Sequence, residues 1–334
     1  MSVATEPLAA RRARPVDALV AWGQGNAWTL GLVGFLGLLF LFTKTIQPSY
    51  GPPGIQGLAS AVLPLALASV GQAIVVIAGG IDLSVGSMMA FTSVVSAVLM
   101  KDQSGEFAIL VVLLVLALGI VVGAINGCLV VVTRVPDIVV TLAMSFVWAG
   151  CALLVLKTPG GGAAPWLTDL VKGSLFIEWL PKAAVVLVIT VAVIWIPLRG
   201  SRLGISIFAI GSNQLAAFRS GVAVGRTKIA AYAMTGLFAA LAGLSLTANT
   251  GIGTPVQGGY TLQSVAAVVL GGVSLAGGRG GVFGPLVAVL ILQLIRTDMT
   301  FLNINTNLAT VVQGFILIGV VMLGSFLTMR RTRP

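Results

Sequence analysis

The residues able to do chemistry are few, and their types limit what that chemistry is. The chain has no histidine and two cysteines. Ser-His-Asp and Cys-His nucleophilic catalysis and histidine-ligated metals are therefore excluded. Cys128 and Cys151 both stand in apolar runs, which suits small buried hydrophobes better than a zinc site or a disulfide framework. What remains is an aspartate in an unexpected place. Residues 75–89 read VVIAGGIDLSVGSMM, and a carboxylate at the centre of a hydrocarbon-buried helix costs roughly 2.5–3.5 kcal/mol on insertion scales. Gly79 and Gly80 can release the backbone from helical geometry. Asp82 or Ser84 can then accept a hydrogen bond from the free N–H groups that open the next helix, at the favourable end of its dipole. Two roles stand open for Asp82: a cap and hinge, or in addition a group that lines or gates a polar route. Gln72, Asn126, Asn249, Gln257 and Gln263 share that choice. Each can hydrogen-bond a solute hydroxyl, or join two helices for about 0.6 kcal/mol per bond. Their neutrality favours an uncharged polar cargo, because a proton or sodium relay needs more intramembrane carboxylates than Asp82 alone.

A second glycine-rich stretch, GGVSLAGGRGGVFG at 271–284, has the look of a phosphate loop. A P-loop requires a Gly-Lys-Ser/Thr ending to reach the β and γ phosphates and hold magnesium, and no Gly-Lys dipeptide occurs in the chain. Any ATP that drives this protein binds elsewhere. VVIAGGIDLSVGS and VVLGGVSLAGGRG also resemble each other, as broken helices of internal repeats do in transporters. Glycine-rich apolar sequence gives such matches by chance as well.

The elements that must position these residues are membrane helices. Of 334 residues, 57% are hydrophobic and 8% charged, whereas a soluble domain is nearer 25% charged. The expected architecture is an all-α membrane protein of about ten transmembrane helices with broken or re-entrant segments. The candidate spans are about 28–43, 57–79, 83–100, 107–132, 138–156, 182–198, 228–249, 259–275, 279–296 and 307–328. The first follows Arg11, Arg12 and Arg14 without an obvious cleavage site and reads as a retained anchor. With both termini in the cytoplasm, thirteen of the nineteen Lys and Arg residues fall inside and six outside, as the positive-inside rule requires. The net charge of +10 is scattered between apolar blocks, so it reads as orientation and contact with anionic lipid headgroups rather than nucleic-acid binding. The domains are then a cytoplasmic tail at 1–27, the membrane domain at 28–328 and a short cytoplasmic tail at 329–334. Gly119, Gly123 and Gly127 form a smooth ridge against which another helix can pack closely.

Two connections are long. Residues 157–181 face outside, with Trp166 and Trp179 suited to a membrane–water boundary. Residues 199–227 face the cytoplasm and carry arginines around a short helix. Ser212 is the expected cap, Asn213–Ser220 the two turns, and Gly221 the terminator.

GGIDLSVGS, NGCLVVVTRVPDIVVTL (126–142), AIGSNQLAAFRSGV (209–222) and VAAVVLGGVSLAGGRGGVFG (265–284) together resemble the inner-membrane permease of the ribose/xylose/arabinose class of bacterial ABC importers. The order and spacing of all four match, from about residue 57 to 328. The resemblance implies a homo- or heterodimer in the bacterial inner membrane and a periplasmic sugar-binding protein outside. It also implies an ATPase inside that carries ATP and magnesium, with no cofactor, metal or catalytic residue in this chain. The ATPase-coupling helix would comprise Gly211, Ser212, Asn213, Gln214, Ala216, Ala217, Arg219, Ser220 and Gly221. The translocation pathway and hinge would involve Gln72, Gly79, Gly80, Asp82, Ser84, Asn126, Asn249 and Gln263. Related branched-chain amino acid permeases lack a comparable IDLS, which favours a sugar; nucleoside or polyol ABC permeases remain alternatives, as does an ion-coupled secondary transporter. Three places depart from the pattern. Asp137 follows Pro136, where the family has a proline, a small residue or an aromatic. Thr261-Leu262-Gln263-Ser264 replaces a Glu-Leu-Asp stretch, and Arg296-Thr297-Asp298 stands where many members have Asn-Gly. These bear on the cargo, or on a heterodimer whose partner supplies the missing groups.

Overall fold

The computed structural model describes residues 27–256, 258–305 and scattered positions from 308 to 322. The N-terminal tail up to residue 26, Gln257, most of the span expected at 307–328 and the C-terminal tail lie outside the described residues. The described elements are helices: α1 (Ala27–Ile46), α2 (Pro52–Ile77), α3 (Val85–Met100), α4 (Gly105–Thr133), α5 (Asp137–Val155), α6 (Pro165–Val171), α7 (Lys182–Gly200), α8 (Arg202–Ser212), α9 (Gln214–Arg219), α10 (Val224–Thr250), α11 (Tyr260–Leu270) and α12 (Phe283–Phe301). Seven of them, α1, α2, α4, α5, α7, α10 and α12, are long and apolar enough to cross a membrane. They coincide with seven of the expected spans.

Two expected spans are shorter than a bilayer. At about 1.5 Å per residue, the 16 residues of α3 reach about 24 Å and the 11 of α11 about 16 Å, against a hydrocarbon core of about 30 Å. The span expected at 259–275 is helical only over Tyr260–Leu270, because Gly271 and Gly272 end it.

The helix boundaries follow from local chemistry. Pro52 and Pro53 open α2, where a missing N–H costs nothing. The Ser104 side chain accepts from the Phe107 N–H at 3.3 Å and opens α4. Arg134, in the left-handed conformation, closes α4, and Pro136 leads into α5.

α2 runs through the centre, buried along its length from Val62 to Ile77. α10 packs against it and against α3 and α4. The α4–α10 contact rests on the expected glycine ridge. A Cβ at Gly123 would overlap the Tyr232 carbonyl, and one at Gly119 would lie 2.5 Å from the Ala240 Cβ. Large apolar side chains on α1, α4, α5 and α7, among them Leu38, Leu113, Phe146 and Val188, remain exposed on the flanks, a surface matched to lipid.

The stretch expected as a long loop with one short helix, 199–227, is mostly helical. α7 runs to Gly200, and α8 follows after Ser201, whose side chain accepts from the Gly204 N–H at 3.1 Å. The expected cap is also corrected by one residue. Ser212 is the last residue of α8, and extended Asn213 (φ −158°) caps α9 by accepting from the Ala216 N–H at 2.9 Å. Gly221, at φ +85°, ends the segment as expected, with the Val222 N–H returning to the Ala217 carbonyl.

Candidate functional site

The two glycine-rich breaks have the same backbone. α2 ends in a Schellman turn: the Gly79 N–H donates to the Val76 carbonyl at 2.9 Å and the Gly80 N–H to the Val75 carbonyl at 2.9 Å. α11 ends likewise, the Gly272 N–H donating to Val269 at 3.0 Å and the Val273 N–H to Val268 at 3.1 Å. Gly79 and Gly272 have φ of +82° and +81°, a region that an L side chain strains to enter. The residues before them, Ala78 and Gly271, match within a few degrees, at −71°/−2° and −69°/−1°. The local sequence likeness is thus a likeness of structure.

The breaks meet at Gly211. The Gly278 N–H donates to the Ile77 carbonyl at 2.9 Å, joining the end of α2 to the loop after α11. A Cβ at Gly211 would overlap that same carbonyl and lie 2.5 Å from the Gly278 nitrogen. A Cβ at Gly277 would lie 2.9 Å from the Gly79 Cα. Gly79, Gly211, Gly277 and Gly278 therefore pack backbone to backbone, two residues before the cap of α9.

Beyond the first break lies a buried polar chain. Asp82 and Ser84 are fully buried; Asp82 Oδ1 accepts from the Ser84 N–H at 2.8 Å and the Ser84 Oγ–H at 2.6 Å. Ser84 Oγ accepts from Asn126 Nδ2 at 2.7 Å, and Asn126 Oδ1 accepts from Trp148 Nε1 at 3.0 Å. Every donor in this chain points toward Oδ1, which offsets part of the loss of water around the carboxylate; Oδ2 is buried without a partner among the described residues. Oriented to satisfy both of its partners, the Gln72 amide donates to the Asp82 carbonyl at 3.0 Å and accepts from the Asp82 N–H at 3.3 Å.

The N-terminus of α3 is held by side chains from two other helices as well. Thr141 of α5 accepts from the Leu83 N–H at 3.0 Å, and Thr261 of α11 accepts from the Gly86 N–H at 3.0 Å. On the opposite side of the break, Asp137 Oδ2 accepts from the Tyr232 hydroxyl at 3.0 Å and lies 3.5 Å from Lys228 Nζ. A Cβ at Gly80 would lie 2.5 Å from that oxygen and 2.8 Å from the Tyr232 hydroxyl.

Of the residues expected along a pathway, Gln72, Gly79, Gly80, Asp82, Ser84 and Asn126 come together here. Asn249 and Gln263 do not. Asn249 lies at the far end of α10, donating to the Ser60 carbonyl at 3.2 Å beside a shallow cavity of about 340 Å³ lined also by Gln56 and Lys172. Gln263 lies on α11 beside Gly259. Its neighbour Thr261 contacts the site instead. Thr141, Trp148, Tyr232 and Lys228 were not singled out, because single residues in amphipathic or apolar helices carry no mark of the helix they face.

The profile of the family described as branched-chain amino acid transport system / permease component matches residues 54–321. Curated relatives include the ribose import permease RbsC of Escherichia coli K12, 30% identical over 305 residues that cover 88% of this chain and 93% of the relative. RbsC of Bacillus subtilis 168 is 34% identical over 294 residues, covering 86% and 91%. The autoinducer 2 import permease LsrD of E. coli O9:H4 strain HS is 32% identical over 265 residues, covering 77% and 79%. The chain belongs to this permease family. No solved structure matched it.

As a permease it is a multi-pass inner-membrane protein. Among the described residues no cluster of three or more His, Cys, Asp or Glu is placed to hold a metal. The glycine contact and the Asp82 chain lie within the span matched by the family profile. So do all three departures, and two of them lie beside the first break: Asp137 closes on it, and Thr261 accepts from the Gly86 N–H in the first turn of α3. Arg296, Thr297 and Asp298 sit toward the end of α12 remote from both breaks, near the Tyr50–Phe301 ring contact.

Proposed function

We propose that the chain is the translocation subunit of an ATP-driven importer for a monosaccharide, fed by a periplasmic binding protein and moved by a separate ATPase that holds ATP and magnesium. The observation that carries this reading is the meeting of both helix breaks on Gly211, immediately before the Asn213-capped α9. α9 exposes Leu215 and Phe218, 58% and 67% accessible, at a spacing that puts them on one face. A short, capped helix with two exposed apolar side chains and Arg219 beside them fits a groove on another protein. Motion of α9 has a direct backbone route into both breaks.

The relatives are named as ribose and autoinducer 2 import permeases, and the buried polar groups around Asp82 are mostly neutral hydrogen-bonders, which suits a sugar. Passage runs along a surface shared with a second copy or a paralogue. Gly253 packs against Val94 and Ala97 near one end of α3, and Thr261 reaches Gly86 near the other. The described residues between them, 254–256, 258 and 259, are not helical, and Val256, Gly258 and Gly259 are exposed. Irregular backbone at membrane depth has to be covered by protein or line a cavity. Both termini and the α8–α9 segment lie in the cytoplasm, in keeping with the distribution of Lys and Arg. On this topology the breaks stand toward the inner side and Asn249 at the outer mouth.

Reconstitution into vesicles tests the reading. Ribose or a related pentose accumulates when binding protein, ATPase and ATP are all supplied, and stops when any one is removed. Accumulation by the chain alone, driven by an ion gradient, rejects it in favour of secondary transport.

A further inference from the structure

We infer that Asp137 is a positioning residue for transport. With Tyr232 and Lys228 it forms a latch that holds the first break against α5 and α10 and so restrains the coupling segment until cargo is delivered. The inference rests on the importer reading above and adds to it a role for one of the few shielded charged pairs among the described residues.

The geometry is specific. The carboxylate of Asp137, from the first turn of α5, reaches two residues one turn apart on α10: the hydroxyl of Tyr232 at 3.0 Å and the ammonium of Lys228 at 3.5 Å. The site is mostly shielded, with 16% of the Asp137 side chain and 18% of the Lys228 side chain accessible, and Tyr232 is 1% exposed. A charged hydrogen bond in such surroundings is stronger than one at the surface. The same oxygen and the Tyr232 hydroxyl close over the Gly80 Cα, leaving no room for a Cβ. One turn further along α5, Thr141 holds the Leu83 N–H. α5 thus grips the break on both sides of Ile81.

The next residue back, Gly79, lies against Gly211 and Gly277. A force on α9 that displaces Gly211 must therefore either drag α5 and α10 with the break or open the Asp137 contacts. The latch makes movement of the coupling segment conditional, so that hydrolysis without delivered cargo is suppressed.

The test is the number of ATP molecules hydrolysed per sugar accumulated, measured in vesicles holding the complete importer, with hydrolysis also measured in the absence of binding protein. This ratio is independent of how much variant assembles. Asp137→Ala raises it by roughly fivefold or more, the lower end of typical coupling energies. Asp137→Asn, whose amide oxygen still accepts from Tyr232, falls between Asp137→Ala and the unsubstituted chain. Gly80→Ala, which wedges the latch from below, raises the ratio as well, and combining it with Asp137→Ala adds nothing. Exchanging the charges, Asp137→Lys with Lys228→Asp, lowers the ratio relative to Asp137→Lys alone. If Asp137→Ala fails to assemble, Asp137→Asn and Lys228→Gln are read in its place. An unchanged ratio in these variants, with ATP-driven uptake intact in the unsubstituted importer, overturns the latch. Absence of ATP-driven uptake by the unsubstituted importer overturns instead the reading on which it rests.

Discussion

The break after α2 and the break after α11 share a backbone and differ in almost everything else. Both are Schellman turns with a glycine near φ +82°, and in both the last helical carbonyl gains an extra donor: Gly278 N–H for Ile77, and Trp28 Nε1–H at 2.8 Å for Leu270. After the first, the chain is buried and carries Asp82 into a polar chain that ends at Trp148. After the second, Leu275 stands where Asp82 stands in the first, 50% exposed, and Arg279 is exposed as well. The comparison shows that glycine placement makes the break, whereas burial decides whether its side chains must be satisfied internally. In the first break Ser84 alone donates to the carboxylate, twice to Oδ1, with Asn126 and Trp148 lined up behind it, while Oδ2 is buried without a partner among the described residues.

The comparison can be broken most severely where the two breaks touch. Gly211→Ala drives a methyl into the Ile77 carbonyl and displaces the Gly278 bond. Overpacking and one lost hydrogen bond together cost about 2–4 kcal/mol, read as a large drop in thermal unfolding temperature in detergent. Next in size is the exchange of the side chains that differ. Asp82→Leu leaves the buried Ser84 N–H and hydroxyl without their acceptor and costs about 2–3 kcal/mol. Asp82→Asn keeps one acceptor oxygen and loses about 1 kcal/mol. The mirror change, Leu275→Asp, stays within about 0.5 kcal/mol in detergent because that side chain is half-exposed. Equal losses in Asp82→Leu and Leu275→Asp would remove burial as the distinguishing factor.

The shared backbone predicts a smaller and more even effect. Gly79→Ala and Gly272→Ala each cost about 1–2 kcal/mol for a left-handed alanine. Gly272→Ala loses somewhat more, because its Cβ would lie 2.7 Å from the Trp28 ring, whereas that of Gly79 meets Gly211 at 3.6 Å. The smallest change is Arg279→Gln, within about 0.5 kcal/mol in the same melting assay.

Much of this was legible in the residues. Hydropathy marked the long helices, and Gly79-Gly80 marked the break; the cap expected from Asp82 or Ser84 is not formed, because Asp82 accepts from the Ser84 N–H just before α3 and the Gly86 N–H goes to Thr261 of α11. Neutral polar residues pointed to Gln72 and Asn126, both of which join Asp82. Asn249 and Gln263 had equal claims by type, yet residue type does not reveal which helix face meets which neighbour. Ser212 and Asn213 are both good caps, and Asn213 takes the role because Ser212 is the last residue of α8, a helix that was not expected in this loop. The contact of Gly211 with both breaks had no polar signature at all, since a glycine packed on backbone leaves no mark in sequence except its smallness. Asp137 was visible as a departure, but its partners lie 91 and 95 residues away. Such distances are set by how α5 and α10 pack, not by any local pattern.

The central claim is that both breaks and the start of α9 move as one body when the ATPase acts. Spin labels at exposed Gln214 and Arg279 report on that body, and a second pair at Gln214 and exposed Ile138 reports its motion relative to α5. In the assembled importer, the first distance is predicted to hold constant between nucleotide-free and ATP-bound states while the second shifts. A first distance that changes with nucleotide, or a second that does not, would contradict the account.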